Sequence, residues 1–523
     1  MSSLSPQATF LVKEFNKSDS RIDDPNKISV NPVVAEVATW YEKIRNAMDY
    51  KEEEVILRSA IERILKRRLL MSNKGKEIAP PLVRELIWAR YFPDSSVPEA
   101  IIEKIESSID LHIKFHDFVC SKYKRIKPVA YEWLLHLLSS DIENILSPSR
   151  QKHLVSNFMF GVLKDKVTIV DDDIQTRDAQ VFIAVRKAFA KEDLGLLRYH
   201  LFGLFFGPLT KNNVEVIADA FLDGYTEINR QLSYPLKDKI YSFVKRQTPP
   251  FFILEDVLKK YQDNFAETIS DKELFDSVVI NACSIRYKDI LTKVQRAVVR
   301  SIIFIFITKT IFALAVEASA EEMFYGHVVW ASIAANILFS PLMMIFASIF
   351  IKTPDRKNSN LILEKIKALL SDPNPRIVNP LKLQINTSKV DPILSVIFSI
   401  LWLIALLLGL SFIISVLSFL QFNIVSQMVF VFFLMIVSFL SYRINQTAKI
   451  YTVTDERHGF RAVLFDFFFT PFIYIGRNLT KGMSQINIFL FIFDFLIETP
   501  FKEMFAFFEQ WFLYLKSQRE TLE

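Results

Sequence analysis

The stretch SIIFIFITKTIFALAVEA, residues 301–318, decides the reading of this chain. It runs apolar for nearly its whole length, with Lys309 near its middle and Glu317 at its end. A hydrocarbon core needs about 20 such residues at a rise of about 1.5 Å each, so this segment reads as a membrane-spanning helix. Three more follow. VVWASIAANILFSPLMMIFASIFI occupies 328–351, with Pro341 inside it. PILSVIFSILWLIALLLGLSFIISVLSFL occupies 392–420, and IVSQMVFVFFLMIVSFLSY occupies 424–442. The expected four-span domain is 296–443, with a connection of 352–390 between the second and third spans.

Outward from these spans, the basic residues separate cleanly. Five precede the first span between Arg286 and Arg300, eight lie between Lys352 and Lys389, and four follow the fourth span from Arg443 to Arg461. The 1–2 connection SAEEMFYGH and the 3–4 connection QFN contain no lysine or arginine. Positive charge is retained on the cytosolic face, so both termini are expected there, with a bacterial inner membrane as the expected host. The opening residues MSSLSPQATFLVKEF lack the apolar h-region of a secretory signal.

Composition agrees. Of 523 residues, 51% are hydrophobic, 48 are Phe and only 11 are Gly, and mean hydropathy is +0.23, which is apolar for a globular chain. So few glycines disfavour the broken helices of transporters and the phosphate loops of nucleotide enzymes. A net charge of +5 from 63 basic and 58 acidic residues suits a lipid surface and makes no case for nucleic acid. Cys120 and Cys283 both precede the first span, on the expected cytosolic side, where a structural disulfide is not expected.

Upstream of the spans, residues 1–30 are polar and are read as a flexible arm. From 31 to 295 apolar residues recur with helical period, predicting a cytosolic region of many helices separated by Pro80-Pro81, Pro93, Pro128, Pro148 and Pro249-Pro250. The segment LGLLRYHLFGLFFGPLT (194–210) is too short for a span and reads as a buried or membrane-surface helix. Downstream, 444–523 is read as a loop followed by interfacial helices. There Asn487, Asp494, Glu498, Lys502 and Glu509 recur at four- and seven-residue intervals as one polar stripe in a Phe-rich background. The expected class is therefore all-α: a helical cytosolic region, a polytopic membrane domain and amphipathic C-terminal helices.

Lys309 is the leading intramembrane candidate, because a charge at that depth costs about 2.5–3.5 kcal/mol on insertion scales. Glu317, Asn336 on the second span and Asp494 are its candidate partners; a snorkelling lysine is the plainer account. His112, His116 and Cys120 share a helix face and could ligate zinc, yet the general-base Glu of an HExxH zinc site is absent. An ordinary half-buried helix face explains them with less, although His136 and His153 could join them through folding. Asp171-Asp172-Asp173 lacks the turn Gly and terminal Glu of an EF-hand and reads as a helix N-cap. Nucleotide, hydrolase and CxxC motifs are absent, so no cofactor and no enzymatic role are expected. The functional expectation is a membrane-anchored scaffold or assembly protein, embedded in the lipid bilayer and binding protein partners through its cytosolic helices. The alternative is a subunit of a homo-oligomeric channel or transporter that uses Lys309 and the polar stripe.

Overall fold

The computed structural model describes residues 4–15, 26–48, 55–261, 264–372, 375, 379–385, 392–453 and 460–485, with ten scattered positions from 504 to 518. The protein is all-α, with one short two-stranded ladder among the described residues. It divides into two compact units. One comprises 4–245 together with 373–383 and 488–523; the other comprises 246–372 and 384–487.

In the first unit the core is written as apolar pairs four residues apart, which share one helix face. Ile61 and Leu65 on Ile56–Arg68 meet Leu82 and Leu86 on Gly75–Trp88, Ile105 and Ile109 on Ala100–Lys122, and Leu138 and Ile142 on Lys127–Leu146. A second core stacks Phe115, Trp133, Phe202 and Phe221 edge to face. The 194–210 segment supplies part of it: helix Leu194–Phe206 buries Leu197, Leu201 and Phe202, and Arg198 pairs with Glu132 at 2.7 Å. The ladder joins β1 (Val167–Ile169) in parallel to β2 (Leu381–Leu383), so the connection between the second and third membrane helices contributes to this unit.

The structure corrects three sequence expectations here. Residues 6–15 of the expected flexible arm form helix Pro6–Phe15, whose Ala8, Leu11, Val12 and Phe15 are buried and whose Glu14 pairs with Arg150 at 3.1 Å. Its apolar face is only three turns long, too short to stand out from the polar background. The tandem prolines do not end helices: Pro80-Pro81 lie inside Gly75–Trp88, and Pro249-Pro250 inside Lys237–Lys260. A proline costs a helix about 3 kcal/mol. Burying Ile78, Leu82 and Val83 beside the first pair, at about 1.5–3 kcal/mol each, offsets that cost. Finally, Phe505, expected at the lipid surface, is 2% exposed in the first core, with Phe512 packed against it. The stripe itself (Asn487, Asp494, Glu498, Lys502 and Glu509) lies outside the described residues.

Among the described residues, three helices of the second unit are long and apolar enough to cross a membrane: Lys272–Phe324, Ile393–Phe419 and Ile424–Ala448. A further apolar helix, Trp330–Ile349, has 20 residues and packs between the first and last of these. The first span and the residues that precede it are one element. Helix Lys272–Phe312 has 41 residues, about 60 Å, so it extends well beyond a hydrocarbon core of about 30 Å. A polar knot braces its first half. Arg286 donates twice to Asp256, at 2.5 and 2.6 Å, and Lys367 of helix Arg356–Ser371 pairs with Asp276 at 2.5 Å. Asn358 donates to Tyr287 Oη and to the Tyr451 carbonyl, both at 2.7 Å, and accepts from the Val453 amide at 2.8 Å.

Helix Phe460–Gln485, expected to lie apart on the membrane surface, packs along Ile424–Ala448 and Pro392–Phe419. Phe472 is buried with Leu406 and Met435. At Gly476 a Cβ would fall 2.0 Å from the Met435 carbonyl oxygen, so only glycine permits this approach.

Candidate functional site: a polar cluster buried among the membrane helices

Along the first membrane helix, Ile305, Lys309, Ala313, Glu317 and Glu321 recur every four residues, and each is 0% exposed. A straight α-helix cannot keep such a row on one face. At about 100° per residue, Glu317 would lie about 80° and Glu321 about 120° around from Lys309. The structure resolves this with a π-turn at Ala313–Glu317, between Lys272–Phe312 and Ala318–Tyr325. A π-turn acts as one inserted residue, which returns both glutamates to within about 20° of Lys309.

Lys309 does not snorkel. Its Nζ donates to Ser340 Oγ at 2.6 Å and sits over the rings of Phe430 and Phe433, at 5.4 and 5.3 Å from their centroids. Glu317 accepts from Asn336 Nδ2 at 3.0 and 3.3 Å and from the Ser426 hydroxyl. Glu321 accepts from the Val329 amide at 2.9 Å, from Ser426 Oγ at 3.1 Å and from Asn423. Asn423 also caps helix Ile424–Ala448, accepting from the Ser426 amide at 2.8 Å. Three helices thus converge on two carboxylates and one ammonium.

Proton counting constrains this arrangement. A serine hydroxyl has one proton to donate, yet Ser426 Oγ lies within hydrogen-bond distance of both Glu317 and Glu321. The two carboxylates therefore compete for one hydroxyl. Asn336 Nδ2 also donates to the Ser426 carbonyl at 3.1 Å, which fixes the amide orientation and leaves the buried Oδ1 without a hydrogen-bond donor.

Of the residues singled out from the sequence, Lys309, Glu317 and Asn336 converge here. Glu321, Ser340, Asn423 and Ser426 were not anticipated. Glu321 had been read as a loop acid, whereas it points back into the bundle. The proposed metal face does not assemble. His112 is buried, with Nδ1 on the Ser108 carbonyl at 2.9 Å, and burial pushes its pKa down. His116 turns to Cys120 instead, with Nε2 3.3 Å from Sγ. In the aspartate run, Asp173 caps helix Ile174–Val185 by accepting from the Thr176 amide at 2.5 Å, and Asp172 accepts from Tyr234 Oη at 2.9 Å. Comparison with family models, curated proteins and solved structures finds no match to this chain.

Proposed function

We propose that this protein is a membrane-anchored scaffold or assembly protein whose helical unit is the partner-binding region. The observation that carries the reading is the way that unit is completed. Residues 4–245 gain a strand from 381–383 and a core residue at Phe505, and membrane helices separate these three stretches of chain. A module closed by segments from before, between and after the membrane helices is tethered to the bilayer several times over. The same connectivity favours an even number of crossings on each side of 373–383, which supports four spans with both termini on one face. The distribution of lysine and arginine favours the cytosolic face, and we take a bacterial inner membrane as host. Native mass spectrometry of the protein from lipid nanodiscs tests this. Defined complexes with other proteins, lost when 488–523 is deleted, support the scaffold; a closed homo-oligomer with no other protein contradicts it.

A second reading, a subunit of an oligomeric proton- or ion-coupled channel or transporter, is favoured by the Glu317–Ser426–Glu321 arrangement. A carboxyl, a hydroxyl and a carboxylate in series are a relay for one proton, and buried ionisable groups in membrane helices commonly serve such paths. Lys309→Met abolishing flux in proteoliposomes supports this reading, and flux unaltered by the substitution removes Lys309 from it.

A further inference from the structure

In the first unit, and independent of the membrane cluster, three ligand-type side chains from three elements meet. His153 lies on helix Arg150–Leu163, Glu192 in the turn after the π-turn Arg186–Ala190, and His200 on helix Leu194–Phe206. Each can offer a ligand atom, and those atoms lie within 4.8 Å of one another. We propose that His153, Glu192 and His200 form a binding site for a divalent metal ion of the zinc class, with three protein ligands and a fourth position open to water.

The backbone builds this meeting point. Lys191 adopts the left-handed conformation (φ 59°, ψ 29°), which turns the chain back after the π-turn and directs Glu192 inward, where it is 8% exposed. Asp193 then caps the next helix by accepting from the Leu196 amide at 3.1 Å, and His200 follows two turns along. Gly195 keeps the turn close to Arg58, since a Cβ there would lie 2.6 Å from the guanidinium.

Donor geometry and chemistry fit zinc. Bonds of about 2.0–2.1 Å from zinc to nitrogen or oxygen set tetrahedral ligand atoms about 3.3–3.4 Å apart. His200 Nε2 already lies 3.3 Å from Glu192 Oε1, and the rings of His153 and His200 are 5.1 Å apart by their centroids. Two imidazoles and one carboxylate are the donor set of three-ligand zinc centres. Arg186 donates to Glu192 Oε1 at 3.1 Å and orients the carboxylate, as outer-shell donors do for metal ligands.

Without a metal the same residues would form only a buried ion-pair network, and one feature goes beyond that. Glu192 Oε2 is buried with no hydrogen-bond partner, a costly arrangement that a cation would relieve. The positive charge of Arg186 weakens attraction for a cation.

The test uses the full chain in nanodiscs, stripped with chelator and titrated with zinc, with bound metal measured by mass spectrometry. One equivalent per chain is expected, falling at least tenfold in Glu192→Gln and His200→Ala while His116→Ala binds as the parent does. Binding below a tenth of an equivalent in the parent overturns the site, as does unchanged stoichiometry in the folded variants. Should those variants unfold, X-ray absorption of the zinc-loaded parent decides. Scattering from two imidazoles with only nitrogen and oxygen neighbours supports the site, whereas sulfur ligation or fewer than two imidazoles excludes it.

Discussion

Lys309 and Ser340 meet at 2.6 Å, ammonium to hydroxyl, with both side chains inside the helix bundle. This contact joins the first membrane helix to Trp330–Ile349 at the level where Phe430 and Phe433 of a third helix close over the charge. Replacing the lysine by an apolar side chain of similar length removes a desolvation cost along with one hydrogen bond. Lys309→Met is therefore expected to keep the fold, with stability in detergent within about 1.5 kcal/mol of the parent. Lys309→Ala, which leaves a cavity between two rings, is expected to lose about 2–4 kcal/mol. Thermal unfolding of the two variants side by side checks this; equal losses would mean that the charge, not the volume, holds the helices.

The shared hydroxyl of Ser426 yields a prediction about the glutamates. Because the two side chains share one hydroxyl, either Glu317→Gln or Glu321→Gln alone is expected to be tolerated, within about 1 kcal/mol. The double variant removes both carboxylates that meet at Ser426 and is expected to cost more than the sum of the singles. Additive single and double effects would rule out coupling through Ser426.

Phe505→Ala is expected to destabilise the helical unit by about 3–5 kcal/mol, the usual cost of emptying a buried phenylalanine site. The loss should appear as faster amide exchange at Leu82 and Ile105, whose core Phe505 completes. Protection unchanged from the parent would place the residue outside that core.

Glu143 predicts a pH dependence. Its burial, with Asp193 and Glu192 nearby, pushes its pKa up to about 7 against the opposing pull of Arg58. The folded state therefore holds a proton that the unfolded chain releases above its usual carboxyl range, so stability is full at low pH and falls as pH rises toward 7. Glu143→Gln, neutral at every pH, should remove that slope. Relative to the parent it should gain of the order of 2 kcal/mol between about pH 5 and about pH 8. Melting curves of chelator-treated protein at both pH values check this, and parallel shifts in parent and variant would contradict it.

The membrane helices were legible because long apolar runs allow few alternatives, and Lys309 stood out because a charge interrupts one of them. Glu317 and Asn336 were within reach of that argument. Glu321 and Ser426 were not, because the π-turn that aligns them has no signature in residue type, and a straight helix would place Glu321 on another face. Tandem prolines misled for the opposite reason: their local cost is visible in sequence, while the packing that offsets it is not. Phe505 was read as lipid-facing because aromatic residues suit a membrane surface and a protein core equally well. His153, Glu192 and His200 lie on three elements without a common spacing, so only folding brings them together.

The most direct measurement of the account is side-specific labelling with a membrane-impermeant maleimide in a Cys120→Ser background, since Cys283 is buried. Single cysteines go at Val170, Lys382 and Leu515, which belong to the three stretches of the helical unit, and at Met323 and Leu420, at the opposite ends of the membrane helices. The account predicts that the first three label together from the cytosolic face and the last two only from the other. Labelling of Lys382→Cys or Leu515→Cys from the same face as Met323→Cys would contradict a single tethered module and, with it, the scaffold.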